Sequence, residues 1–170
     1  MASLMENFMD ILEKEHGQYE RLTDLSRQKQ QVIIAGNIPA LEKITEQEQE
    51  LTGTLINLEK KREEIVKDMS IVLSKDPSEL TVTNMIAFLS KQPQEQQKLR
   101  DLKDKLRNTL DEMAELNGLN ESLLQHAMEM TEFDLTLFKS MRQAPTTANY
   151  DRSANNTGDI LGTGGFDAKQ

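Results

Sequence analysis

Two histidines, each three residues from a glutamate, have a spacing that would allow the paired side chains to bind a metal. Glu13 and His16 form an E-x-x-H motif, and His126 and Glu129 have the same spacing in reverse order. Carboxylate-bridged metal sites in helical bundles use two E-x-x-H motifs together with further inward-facing glutamates. Because only one motif here has the required order, we interpret both histidines as ordinary surface residues and predict no metal site.

Residues 162–165, Gly-Thr-Gly-Gly, are the other segment that could bind a ligand, in this case a phosphate. A phosphate-binding loop needs a preceding strand, a following helix and a closing lysine, and the sequence indicates none of them here. No Ser, His and Asp group has a predicted scaffold that would order it as a catalytic triad. The chain has no cysteine, which excludes thiolate metal sites, cysteine nucleophiles and disulfides. We therefore predict that the protein is not an enzyme and uses no cofactor.

The composition favours long solvated helices and argues against several classes of partner. Charged residues make up 29% of the chain and aromatic residues only 4%. The net charge of -9, without a cluster of Lys and Arg, argues against nucleic-acid binding. No apolar run approaches the roughly 20 residues that span a bilayer, so we expect no membrane insertion. Residues 1–12 include Glu6 and Asp10 and lack a basic leader, so a signal peptide is not expected and the predicted location is cytoplasmic.

A helical hairpin is predicted for the first part of the chain. Apolar residues repeat in steps of three and four over residues 3–35, which predicts a first helix. Gly36 and Asn37 supply a helix stop, because both tolerate left-handed backbone angles, and Pro39 suits the first turn of a second helix. Because this connection is short, the two helices are expected to be antiparallel neighbours.

The second helix, over residues 39–72, has the most regular repeat in the chain. Glu48 and Arg62 occupy seam positions that are otherwise apolar, and we expect them to fix the register at some cost in stability. Residues 76–79, Asp-Pro-Ser-Glu, have the pattern of a helix start: an N-cap, a first-turn proline and an acidic third position. They predict a short helix that begins here and ends before Pro93. A helix of about ten to twelve residues is not stable alone, so it must pack on the long helices. We expect it to cross one end of the bundle.

A long third helix is predicted for residues 93–141, with an apolar seam interrupted at Thr109, Asn120 and Asp134. After Gly118 the apolar stripe becomes wider than one neighbouring helix would cover, which requires either two neighbours or a separate partner. The residues that form this wide stripe are Leu119, Leu123, Leu124, Met128, Met130, Phe133, Leu135, Leu137 and Phe138. Methionine suits a surface that receives a partner helix but also fills ordinary cores, so both interpretations stay open.

The periodic pattern ends at Pro145. Residues 146–170 are rich in Asn, Thr, Asp and Gly, a composition that cannot bury a core. We therefore predict a helical domain of residues 1–145 and a flexible tail of residues 146–170. The predicted fold class is all-α: an elongated antiparallel helical bundle or coiled-coil hairpin with a short crossover helix, a long third helix and a disordered C-terminal tail.

Three segments carry a family resemblance. They are residues 35–41 at the first turn, residues 51–62 in the second helix and residues 116–124 in the third. With these segments in a hairpin that is followed by a long helix and a polar tail, the sequence resembles the FlgN family of flagellar export chaperones over roughly residues 4–150. The resemblance implies a cytosolic chaperone that holds the C-terminal helices of hook-filament junction (hook-associated) proteins and delivers them to the flagellar type III export gate.

The resemblance also implies roles for two parts of this chain. In the family, a C-terminal amphipathic helix holds the substrate, which here corresponds to the wide apolar stripe of the third helix. A tyrosine in the family's mobile tail docks on the export gate, and Tyr150 is the matching residue here, although Asp151 follows it where the family often has glycine. The alternative is a structural or adaptor coiled-coil protein whose apolar stripe is covered by self-association, for instance in a homodimer.

Overall fold

The computed structural model describes residues 3–143, which form four α-helices and two short 3₁₀ turns and contain no strand. The helices are α1 (Leu4–Ala35), α2 (Ile38–Leu73), α3 (Val82–Phe88) and α4 (Pro93–Gln143), and the 3₁₀ turns are Pro77–Glu79 and Leu89–Lys91. The predicted all-α hairpin with a short crossover and a long final helix is confirmed. The predicted tail and its boundary near residue 145 lie outside the described residues and stay predictions.

Local capping interactions set the ends of the hairpin helices. Ser3 and Glu6 form a capping box: the Ser3 hydroxyl accepts from the Glu6 backbone N–H at 3.1 Å, and the Glu6 carboxylate accepts from the Ser3 N–H at 2.6 Å. Gly36 ends α1 with a φ of 66°, in the left-handed region where a side chain is strained. The Asn37 side chain then caps α2 by accepting from the backbone N–H of Ala40 at 3.2 Å. The predicted turn is therefore confirmed.

The short helix differs from the prediction. Asp76 caps only the 3₁₀ turn, where Ser78 donates to its carboxylate from both the hydroxyl and the backbone N–H and holds the pKa of Asp76 below its usual value. The Thr81 hydroxyl supplies a second N-cap, at which α3 begins. Between the two caps, Leu80 has a non-helical backbone and is 5% exposed. The helix is interrupted here, which lets Leu80 enter the core.

The main core lies at the meeting point of four parts of the chain: the first turns of α1, the end of α2, the segment of α3 and the 3₁₀ turns, and the first turns of α4. Its members are apolar side chains from all of these elements: Phe8, Leu12, Met69, Leu80, Met85, Leu89 and Leu99. Phe8 is 1% exposed and both Met85 and Leu99 are fully buried. Half-buried Leu102 and Leu106 of α4 extend this packing.

Contacts divide the described chain within α4, into a first unit that ends at Gln125 and a second that begins at His126. The first unit contains α1, α2, the short helices and α4 as far as Gln125. The described part of the second unit is the remainder of α4, which continues to Gln143.

Two phenylalanines of different burial test where the stability of the fold resides. We expect Phe8→Ala to lower the free energy of unfolding by about 3–5 kcal/mol, because a fully buried aromatic ring leaves a cavity. The matched variant Phe133→Ala removes the same ring from a side chain that is 68% exposed, so the free energy of unfolding should hardly change. Urea unfolding followed by circular dichroism measures both. Equal losses in the two variants would contradict this assignment of the core.

Candidate protein-binding surface

Polar side chains join α4 to α1 in the first unit. His16 Nε2 lies 3.0 Å from the Thr109 hydroxyl, and the Ser26 hydroxyl donates to the Asn117 side-chain oxygen at 3.0 Å. Asn120 is 3% exposed, and its side-chain nitrogen donates to the Ser26 carbonyl at 2.8 Å. Residue numbers increase together along both helices in these pairs. Helices α1 and α4 therefore run parallel, which the short crossover elements make possible.

Two of these contacts correct the sequence interpretation. His16 is not the surface histidine that we predicted, since its side chain is only 14% exposed and faces Thr109 of α4. Thr109 and Asn120 appeared in the sequence as interruptions of the α4 seam, whereas both contact α1. A polar residue at a seam position was the available signal, but the sequence does not indicate which helix supplies its partner. His126, by contrast, is 76% exposed, as a surface histidine should be.

The two charged seam residues of α2 each face an opposite charge on α1. Lys29 Nζ lies 3.0 Å from the Glu48 carboxylate, and Arg62 Nε lies 3.0 Å from the carboxylate of Glu15, a side chain that is only 7% exposed. Burial raises the pKa of the neighbouring Tyr19 hydroxyl, and the Glu15 carboxylate raises it further, as expected beside a buried anion. Within the hairpin, a charge on the seam is therefore neutralised from the opposite helix.

In the second unit, α4 has a continuous set of exposed apolar side chains. Each of them has between 50% and 70% of its surface exposed. We call this set the 128–141 surface; its members are Met128, Met130, Phe133, Leu135, Leu137, Phe138 and Met141. None of them belongs to the apolar core of residues 3–143, and the Arg142 guanidinium lies 5.4 Å from the centre of the Phe138 ring.

The structure places the nine predicted binding residues in two groups. Six of them, from Met128 to Phe138, belong to the 128–141 surface. The other three lie on the first unit, where Leu119 is 47% exposed and Leu123 and Leu124 are half-buried. Tyr150, the predicted docking residue of the tail, lies outside the described residues. Met141 was not among the predicted binding residues, although it lies on the same seam.

The described residues also bear on metal and membrane binding. Across residues 3–143, no group of three or more His, Cys, Asp or Glu side chains is arranged to hold a metal ion. In the same part of the chain, no helix combines the length and the apolar character that crossing a bilayer requires.

Comparison with known proteins identifies the family. The family model described as FlgN protein matches residues 1–158, which is most of the chain. The chain belongs to the FlgN family. No curated protein and no solved structure matches it. Family membership confirms the resemblance carried by the three sequence segments, and it identifies this FlgN-family protein as a flagellar export chaperone with a role in flagellum biogenesis.

The buried ion pair between the hairpin helices should contribute more to stability than an exposed one. We expect Glu15→Gln to lower the free energy of unfolding at pH 7 by about 1–2 kcal/mol, because Arg62 would lose its closer, buried carboxylate and keep only that of exposed Glu59 at 3.7 Å. The matched variant Glu112→Gln breaks an exposed pair with Arg27, in which water and salt already screen both charges. It should leave the free energy of unfolding nearly unchanged. Urea unfolding would contradict this ranking if the Glu112 variant proved the less stable.

Proposed function

We propose that this FlgN-family protein is a cytoplasmic chaperone that holds the C-terminal helical segments of hook-filament junction proteins. The proposed binding residues are the 128–141 surface in the second unit and, in the first unit, Leu119, Leu123 and Leu124. The observation that carries the proposal is the exposure of seven large apolar side chains on successive turns of one helix. Single exposed apolar residues are ordinary on protein surfaces, whereas a contiguous set marks a contact site.

The chemistry of the surface suits an amphipathic helix as its occupant. Apolar side chains on successive turns of α4 provide the seam into which a second helix packs its own apolar face. Met128, Met130 and Met141 are flexible and polarisable, so they can adapt to partner side chains of different shapes. Phe133 and Phe138 provide larger areas, and covering an aromatic or aliphatic side chain of this size is favourable by about 1.5–3 kcal/mol.

Delivery of the bound protein is the role that we propose for the tail. We propose that Tyr150 docks on the flagellar export gate, in agreement with the tail tyrosine of the family. Its ring could enter a small pocket while its hydroxyl makes one hydrogen bond, which suits a brief contact. Holding and delivery would then depend on different residues.

The binding surface can be tested with the double variant Phe133→Ala/Phe138→Ala. We expect its affinity for the purified C-terminal segment of a hook-filament junction protein to fall by at least about tenfold, which corresponds to about 1.4 kcal/mol. The melting temperature should stay close to that of the wild type, because these rings are more than half exposed. Phe88→Ala is the matched control, since Phe88 is a half-exposed phenylalanine of the short crossover region. Calorimetric titration measures the affinity.

Two results would contradict this assignment. A lower melting temperature with unchanged affinity would place the two phenylalanines in a packed contact and not in the binding site. A tight obligate dimer that dissociates in the double variant would favour the structural coiled-coil alternative. Sedimentation of the wild type and the variant therefore accompanies the titration.

The docking role can be tested with Tyr150→Ala, with Tyr150→Phe as the control that keeps the ring. We expect the alanine variant to bind the substrate segment as tightly as the wild type while losing affinity for the cytoplasmic domain of the export gate. Secretion of the substrate protein should fall accordingly. Wild-type secretion, or a parallel loss of substrate binding, would show that Tyr150 is not a separate docking residue.

A further inference from the structure

Asp134 lies in the middle of the 128–141 surface, on the apolar seam of α4. Met130 precedes it by four residues, and Leu137 and Phe138 follow it by three and four, so all four side chains emerge from one side of the helix. Asp134 is exposed, as are its three apolar neighbours. Within residues 3–143, no Lys, Arg or His side chain forms an ion pair with its carboxylate.

A partner helix that covers this surface must also cover Asp134. Removing an ionised carboxylate from water is strongly unfavourable unless a cation or several hydrogen bonds replace the lost hydration. An apolar partner face would therefore lose affinity at this position, despite good contacts with the surrounding methionines and phenylalanines.

The hairpin shows how this chain accommodates charges on its seams. Glu48 and Arg62 occupy seam positions of α2, and in both cases α1 supplies the opposite charge at 3.0 Å. Asp134 is the corresponding charged seam residue of α4, but it lies where the described residues provide no facing helix. The facing helix, and with it the opposite charge, would come from the bound protein.

We propose that the segment held by the 128–141 surface is an amphipathic helix with an arginine or lysine on its apolar face, and that this cation pairs with Asp134. The proposal rests on the proposed function and specifies the chemistry of the partner. Arginine fits best, since its planar guanidinium can donate two parallel hydrogen bonds to one carboxylate. A single charge pair within an apolar seam fixes the register and orientation of the partner and rejects apolar helices that lack the cation.

A second copy of this chain is a poor occupant for the same physical reason. From Leu99 to Met141 the α4 seam contains no Lys or Arg. If two copies paired through this seam in parallel and in register, Asp134 would face Asp134, and two like charges would be covered together. Charge complementarity therefore favours a different protein as the occupant.

The test uses the full chain and, as the probe, the C-terminal segment of a hook-filament junction protein from the same bacterium. By calorimetric titration, Asp134→Asn should weaken binding by at least about tenfold and Asp134→Lys by more, because the partner's cation would lose its acceptor or face a like charge. Glu132→Gln and Glu132→Lys are the matched controls. Glu132 is an exposed acidic residue two positions earlier, on nearly the opposite side of the helix, and its variants should change the affinity by less than about threefold.

The decisive step is a charge exchange. Each Lys or Arg on the apolar face of the probe is changed in turn to Glu, and each probe is titrated against the wild type and Asp134→Lys. One exchanged probe should bind the wild type weakly and regain most of its affinity, to within about tenfold of the original pair, with Asp134→Lys. Absence of any such recovery overturns the proposal. Tighter binding by Asp134→Asn, or a change of oligomeric state with unchanged affinity, overturns it too, since these results indicate an unpaired carboxylate or a second copy.

The Phe133→Ala/Phe138→Ala variant distinguishes a wrong binding surface from a wrong cation pairing. If it binds the probe as tightly as the wild type, the surface is not the binding site and both proposals fail. If it binds weakly while the Asp134 variants bind normally, the surface holds the segment and only the cation pairing is wrong.

Discussion

The packing of Phe8, Met85 and Leu99 into one apolar cluster is the interaction on which the arrangement of α3 and α4 against the hairpin depends. Local capping residues determine the hairpin of α1 and α2. Helix α4, by contrast, packs on the hairpin through this cluster and the neighbouring Leu102 and Leu106. A helix as short as α3 is not stable alone, so its position too is a consequence of burying Met85 and Leu89. Once α4 begins at this cluster, its direction alongside α1 is determined.

Along α4, hydrogen bonds to α1 are added to apolar packing after the buried start of the helix. Leu99 is fully buried, whereas at Thr109, Asn117 and Asn120 the contacts to α1 are hydrogen bonds. Such bonds contribute modestly to stability, yet they have strict geometry and therefore define which residues face each other. From residue 128 onward the apolar side chains are exposed. One helix thus combines a packed segment, a hydrogen-bonded segment and an exposed segment.

The sequence predicted those features that local chemistry determines. Gly36, Asn37 and Pro39 determine the hairpin turn within a few residues, and the regular spacing of apolar residues fixes the type and extent of the long helices. The break at Leu80 was missed, because it depends on the burial of that side chain by distant elements and not on the cap at Asp76. The contacts of His16 and Asn120 were missed for the same reason, since their partners lie more than 90 residues away in the chain. The wide apolar stripe was predicted correctly as a pattern, but only the structure shows that the described chain leaves it exposed.

The contrast between buried Phe8 and exposed Phe133 has a consequence for how such a chaperone can evolve. Most substitutions that harm proteins do so by lowering stability, and selection removes them for that reason. Side chains of the 128–141 surface are exempt from this filter, because the described fold does not depend on them. As the proposed binding site, this surface is therefore free to change together with the exported protein, and relatives of one fold can diverge in specificity without passing through unstable intermediates.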